Sequence, residues 1–230
     1  MKKKSKRFRT LVEQQKKEKL DTVEMKIDSI KKMSNTKFVE SIDLSFKINL
    51  KKIKSSESVL RTIIELPNGN GKKLKVAVLC DPNKISDAKK SGADVYGSED
   101  LIKKISDSQI DFDKLVCTPS MMPKLGKLGK ILGPKGLMPN PKMGTVSDDL
   151  SKSVDKVKNK SIEIKSDKDG NLAFSIGRKT FTDSKLLENL KSVFENLKKE
   201  KSNIFNGENI KKIYLSSSMG PSFKLNFKDI

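Results

Sequence analysis

The chain of 230 residues contains no histidine and no tryptophan, only two cysteines, and aromatic residues at just 5%. Each shortage excludes something. Without histidine the commonest general base, the usual partner of a catalytic nucleophile and the commonest metal ligand are all missing. Two cysteines alone cannot complete a tetrahedral zinc site, and a Cys–His dyad cannot be built. Few aromatics leave little material for stacking single-stranded bases. No run approaches the ~20 consecutive apolar residues of a membrane span. The N-terminal MKKKSKRFRT lacks the apolar core of a signal peptide, so a cytoplasmic protein with no membrane partner is expected. Cys80 and Cys117 both end apolar, strand-like runs, which predicts buried, reduced thiols rather than a disulfide framework. These absences point away from an enzyme, and from any cofactor or metal.

What the chain has is positive charge: 49 Lys+Arg against 29 Asp+Glu, net +20. That excess predicts salt-dependent attraction to nucleic acid, ahead of an anionic membrane surface. Residues 2–9 carry six basic groups in eight positions, a phosphate-seeking arm or a frayed terminus. A second concentration is CTPSMMPKLGKLGKILGPKGLMPNPKMGTV, Cys117 to Val146, with five of the eight prolines and five of the thirteen glycines. Proline fixes φ and glycine frees it, so the stretch specifies a defined, non-repetitive path. Its Lys124, Lys127, Lys130, Lys135 and Lys142 are candidate RNA-facing cations, or the solvated lysines of a proline-rich connection. GKLGKILGPKG does not satisfy G-x-x-x-x-G-K-[ST], and no G-x-G-x-x-G occurs, which excludes both familiar nucleotide loops. The carboxylate pairs Glu99-Asp100 and Asp148-Asp149 fall at expected helix starts, where they serve as caps.

In chain order, helices are expected over Lys6–Leu20 and Asp21–Met33, the second capped by Asp21 or Thr22. Ile42, Leu44, Phe46, Ile48 and Leu50 alternate with polar residues, the period of a strand with one wet face. Val59–Leu66 is a second strand, ended by Pro67-Asn68-Gly69-Asn70-Gly71, a boundary signal. Val76–Cys80 is continuously apolar, as in a strand covered on both faces. Helical and strand-like segments then alternate (Pro82–Ser91, Ala93–Tyr96, a helix from Ser98, Phe112–Cys117), which predicts a small parallel α/β unit. Ser147–Val157 reads as a helix. Ile162 and Ile164, a turn at Asp167–Gly170, and Leu172, Phe174 and Ile176 read as a hairpin. Lys185–Lys199 is the most regular amphipathic helix, followed by strands Ile213–Ser216 and Ser222–Lys228. The two ends share one style and the middle has another, so a domain inserted into a split outer domain is expected. At the strand ends of that outer domain, Lys37-Phe38-Val39-Glu40-Ser41 and Ser217-Ser218-Met219-Gly220-Pro221 offer hydroxyls, a bare glycine and a carboxylate. They suit either RNA contact or ordinary turn chemistry.

KLGKILGPKGLMPNPKMGTV strongly resembles the signature segment of the large-subunit ribosomal protein L-one family. KFVESIDL, LPNGNGK, SGADVYGSEDLIKKI, FDKLVCTPSMM and IYLSSSMGPS resemble further family segments in the same order, from about residue 5 to 226. The resemblance implies a fold class of α/β (α+β) with two domains: a split outer α+β domain, 1–68 plus 159–230, and an inserted Rossmann-like three-layer α/β domain, 69–158. It implies binding of 23S-class large-subunit rRNA in the mobile stalk of the 50S-type subunit. It also implies help in releasing deacylated tRNA from the exit site, and repression of the protein's own operon mRNA. The rRNA-contacting positions of the family fall on Lys37, Phe38, Glu40, Ser41, Ser218, Met219 and Gly220, and Arg178 matches a basic family position. Departures exist: Ser41 and Ser218 stand where the family usually has threonine, Thr62-Ile63 where Gly-Thr is common, and Asn68 where histidine is frequent. A non-ribosomal RNA-binding translational regulator using the same surface is the alternative, and a nucleotide-dependent enzyme on the middle domain is disfavoured.

Overall fold

The structure is a computed structural model and describes residues 5–18, 20–49, 61–141, 144–159, 161–200, 205 and 209–227. Two compact units divide the chain, Met1–Gly71 with Ile162–Ile230, and Lys72–Ser161.

The outer unit opens with helix α1, Lys6–Lys17, started by the Ser5 hydroxyl accepting from the Phe8 amide. Helix α2, Val23–Met33, starts at Thr22 in the same way and buries Val23, Ile27, Ile30 and Met33. Both helices are shorter than the periodicity suggests. Glu18 turns extended after α1, and its carboxylate accepts from the Ser29 hydroxyl instead. Strand β1, Ser41–Ile48, alternates strictly, with Ile42, Leu44, Phe46 and Ile48 inward. Strand β2 is Arg61–Glu65; Leu50, Val59 and Leu60 lie outside the described residues.

In the inserted unit, strand β3, Val76–Leu79, is buried throughout. A 3-10 turn over Pro82–Lys84 and helix α3, Ile85–Lys90, lead to strand β4, Val95–Gly97. Helix α4, Glu99–Ser106, precedes strand β5, Lys114–Cys117. The three strands are parallel, in the order β4-β3-β5. Apolar residues run continuously in β3 because both faces are covered. Ala77, Leu79, Leu115 and Cys117 pack on one face with Leu101 and Ile105 of α4. Val76, Val78, Cys80 and Val116 pack on the other with Ala88, Leu150, Val154 and Val157.

The proline- and glycine-rich stretch follows β5 as short helical turns: a 3-10 turn Pro119–Met121, α5 at Met122–Gly126 and α6 at Gly129–Leu132. Met121, Leu125, Leu128 and Leu132 point inward from it, and a parallel bridge from Cys117 to Val146 ties its far end to the sheet. Helix α7, Leu150–Asn159, completes the opposite face. The result is a three-layer, Rossmann-like α/β unit.

The chain returns to the outer unit with strand β6, Ser161–Lys165, and strand β7, Asn171–Arg178. The expected hairpin between them does not form. The turn is present, with the Asp167 carboxylate accepting from the Asp169 and Asn171 amides, but β6 pairs with β2 and β7 pairs with β1. Antiparallel pairing along β1 seats Phe174 of β7 against Phe46, ring centroids 6.0 Å apart. Local turn chemistry sets where the chain reverses, and burial sets which strand is joined. Helix α8, Asp183–Glu200, and strands β8, Ile210–Ser217, and β9, Ser222–Leu225, complete the unit. Lys228 lies outside the described residues.

The main sheet is antiparallel in the order β7-β1-β8-β9. Leu186, Leu190, Val193, Phe194 and Leu197 of α8 share its core with the buried face of α2, each fully buried side chain contributing about 1.5–3 kcal/mol. Polar side chains are buried in this unit as well. Asn189, fully buried, donates to the Gly69 carbonyl at 2.9 Å and the Ile176 carbonyl at 2.8 Å, and accepts from the Asn68 amide at 3.0 Å. It thereby pins the Pro67–Gly71 turn, where Gly69 and Gly71 adopt φ of 65° and 72°, to the end of the sheet.

Candidate nucleic-acid interface

Strand register assembles the candidate site. Ser41, at the start of β1, is level with Arg178 at the end of β7, and Ile42 is level with Ser217 at the end of β8. Lys37–Ser41, Arg178 and Ser218–Gly220 therefore meet at one end of the main sheet. Two serines close the seam: the Ser41 amide donates to Ser218 Oγ and the Ser218 amide to the Ser41 carbonyl, both at 3.1 Å.

Glu40 sits beneath this seam and is fully buried. Its carboxylate accepts from Thr36 Oγ1 at 2.9 Å and from the Met219 amide at 3.0 Å, while its carbonyl accepts from the Lys179 amide at 2.9 Å. Burial alone pushes the carboxyl pKa up. The adjoining Ser217 hydroxyl, the Met219 amide and the Thr36 donors outweigh it and hold the group below its ordinary value, so it is a carboxylate at neutral pH. The Ser217 hydroxyl acts on it by proximity, since it is buried and satisfies full hydrogen-bond geometry with no group among the described residues. A Cβ on Gly220 would come within 2.4 Å of that hydroxyl, so a side chain at residue 220 would force the Ser217 hydroxyl to move.

Above the seam the side chains face solvent. Phe38 is 54%, Val39 47% and Met219 52% exposed, and Lys37 and Ser218 are exposed beside them. Phe38, the residue type most expected in a core, stands outside it. Arg178 is half-buried, and its Nε is enclosed with no hydrogen-bond partner among the described residues.

Sequence reasoning placed Glu40 among the RNA-contacting positions; in the fold its carboxylate faces inward and is engaged by the protein's own donors. It missed Thr36, Arg7, Asn35 and Lys179. Arg7 of α1 donates to Met219 O at 2.5 Å and to Asn35 Oδ1 at 2.7 Å, and Lys179 Nζ donates to the Ser34 carbonyl. The only signal for Arg7 was its place in the basic N-terminal run, which nothing distinguished from its neighbours.

The second candidate set lies in the inserted unit. Lys124 is paired with Glu99 at 2.8 Å. Lys127, Lys130 and Lys135 are exposed along the α5–α6 stretch, and Lys142 lies outside the described residues. Cys80 and Cys117 are buried and free; burial pushes the Cys117 thiol up to about 12. Among the described residues no group of three or more His, Cys, Asp or Glu side chains is placed to hold a metal ion, and no helix is long and apolar enough to cross a membrane.

The fold and its sheet-end surface define a class: a strongly basic, two-unit α/β protein with a braced, hydroxyl-lined edge at one end of its main sheet. Residues 30–221 match the Ribosomal protein L1p/L10e family, and the chain belongs to that family. It is 50% identical over 222 residues to the large ribosomal subunit protein uL1 of Pelagibacter ubique, covering 96% of each chain. It is 43% identical over 233 residues to that of Kosmotoga olearia, covering 100% of this chain and 99% of the relative. The large ribosomal subunit protein uL1c of Phaeodactylum tricornutum is 39% identical over 228 residues, 99% of each.

Proposed function

We propose that this chain is a non-enzymatic constituent of the large ribosomal subunit, located on the cytoplasmic ribosome, and that it binds large-subunit rRNA directly through the sheet-end surface of its outer unit. In this reading it forms the mobile stalk of the subunit, assists release of deacylated tRNA from the exit site, and represses its own operon mRNA by binding a similar RNA structure. The observation that carries the reading is the convergence of Lys37, Phe38, Ser41, Arg178, Ser218, Met219 and Gly220 on one edge, with Glu40 bracing it from within. Exposed hydroxyls and a bare glycine let a ribose–phosphate backbone approach closely, and the exposed Phe38 and Met219 offer apolar contact to a folded RNA. The net charge of +20 supplies the salt-dependent part of the attraction. Lys124, Lys127, Lys130, Lys135 and Lys142 are secondary RNA-facing candidates.

The test is binding to the rRNA stalk fragment across a salt series, with Met219→Ala and Ser218→Val beside the wild type. The variants are expected to lose about 1–3 kcal/mol on the specific fragment and almost nothing on random duplex RNA. A wild type with no preference between the two RNAs refutes the sheet-end site and leaves charge alone as the cause of binding.

A further inference from the structure

Helix α1 has one inward stripe. Arg7, Leu11 and Gln15 stand at i, i+4 and i+8 and so share a face; Leu11 is the only buried residue of the helix. The two polar members of the stripe reach the connection between β8 and β9 and the first residue of β9. Arg7 Nη2 donates to the Met219 carbonyl at 2.5 Å, and Gln15 Nε2 donates to the Ser222 carbonyl at 2.7 Å. From the other side, Glu40 accepts the Met219 amide proton at 3.0 Å. Both backbone polar groups of Met219 are therefore held by charged side chains, one 212 and one 179 positions away, while the residue as a whole remains 52% exposed.

We infer that Arg7 is a positioning residue for RNA recognition: with Glu40 it grips the Met219 backbone and presents the Met219 side chain and Ser218 hydroxyl in the arrangement that RNA meets. This rests on the reading of the sheet end as the RNA site. A turn held by charged hydrogen bonds is ordered before RNA arrives, so less ordering cost is charged against binding. The guanidinium is suited to the task because its planar fork spans two acceptors, Met219 O and Asn35 Oδ1 at 2.7 Å. Lysine has the charge without the fork. The N-terminal helix thus belongs to the recognition surface without supplying the contact itself.

The experiment uses the full chain, the rRNA stalk fragment and a random duplex RNA of equal length, with Arg7→Lys, Arg7→Gln and Met219→Ala. Lysine matches arginine in helix propensity, so α1 is preserved in the first variant. Methionine methyl groups carry 13C, and the Met219 resonance among the eight methionines is the one missing from the Met219→Ala spectrum. Arg7→Lys is expected to bind the specific fragment about tenfold more weakly, the size of one charge-assisted hydrogen bond. The slope of log K against log salt and the affinity for random duplex should stay unchanged, and the Met219 methyl of the free protein should shift. If Arg7→Lys binds as wild type while Arg7→Gln lowers the salt slope by ~0.9, Arg7 is a direct phosphate ligand and the inference is wrong. Lost affinity with no change at the Met219 methyl overturns it as well. If Met219→Ala itself keeps full affinity, the reading of the sheet end fails; if Met219→Ala loses affinity and Arg7→Lys does not, only the positioning role fails.

Discussion

Replacing Glu40 separates the charge of the buried carboxylate from its hydrogen-bonding capacity. Glutamine has nearly the same shape, and the structure offers partners for its carbonyl and for one of its amide hydrogens. Its Oε1 can accept from the Met219 amide. Its Nε2 can donate to Thr36 Oγ1, whose own hydrogen then goes to the Phe38 carbonyl, already 3.1 Å away. The Met219 amide and the Thr36 hydroxyl both keep partners, so Glu40→Gln loses mainly the difference between charged and neutral hydrogen bonding, offset in part by easier desolvation. The expected net cost is about 1 kcal/mol. Glu40→Ala strands the Met219 amide and opens a small cavity, for about 2–4 kcal/mol. The pH dependence has a defined sign. The folded pKa of Glu40 lies below its ordinary value of 4.5, so its charge contributes stability above that value and loses it as pH falls through 4.5 toward the folded pKa. The stability gap between wild type and Glu40→Gln should be flat above about pH 5.5 and shrink in more acid solution. Urea unfolding of the full chain measures it, with 13C-methyl signals of Met33 in the outer core and Met121 in the inserted core reporting the two units separately. A Glu40→Gln variant as unstable as Glu40→Ala, or a gap that persists undiminished at acid pH, would refute the account of a paired, buried carboxylate.

Two further outcomes test the scaffold behind the site. Asn189→Ala removes one donor group and one acceptor that serve three backbone partners; it should destabilise the outer unit by about 3–5 kcal/mol, read at the Met33 methyl with the Met121 transition unmoved. The Cys117 thiol, pushed up to about 12 by burial, should resist a thiol-reactive dye at pH 8 in the folded protein and react only as the inserted unit unfolds; rapid labelling of both cysteines in native buffer would contradict its place in the buried parallel sheet.

Much of the local structure could be read from the residues. Strict alternation in Ile42–Ile48 gave the half-exposed β1, continuous apolarity in Val76–Leu79 gave a strand covered on both faces, and the leucines of α8 gave the helix over the main sheet. These succeed because periodicity records which faces are buried, a property of each segment alone. Helix ends were less legible, since α7 begins at Leu150 rather than Ser147 and α1 stops at Lys17, where competing side-chain bonds decide. The hairpin between β6 and β7 was misread because a turn fixes a reversal and not a partner.

The same division applies to the site. By itself the sequence determined the residue types available: abundant cations, no histidine, and two short hydroxyl-rich segments near Lys37 and Met219. It took the folded chain to bring Ser41 and Ser218, 177 positions apart, into shared hydrogen bonds, to set Phe38 outside the core and Glu40 within it, and to carry Arg7 of the first helix to Met219. The physical reason is that antiparallel register and helix docking are set by the burial of the whole core. A side chain at a strand end takes its partners from whichever segments that core brings alongside, and no local pattern encodes them.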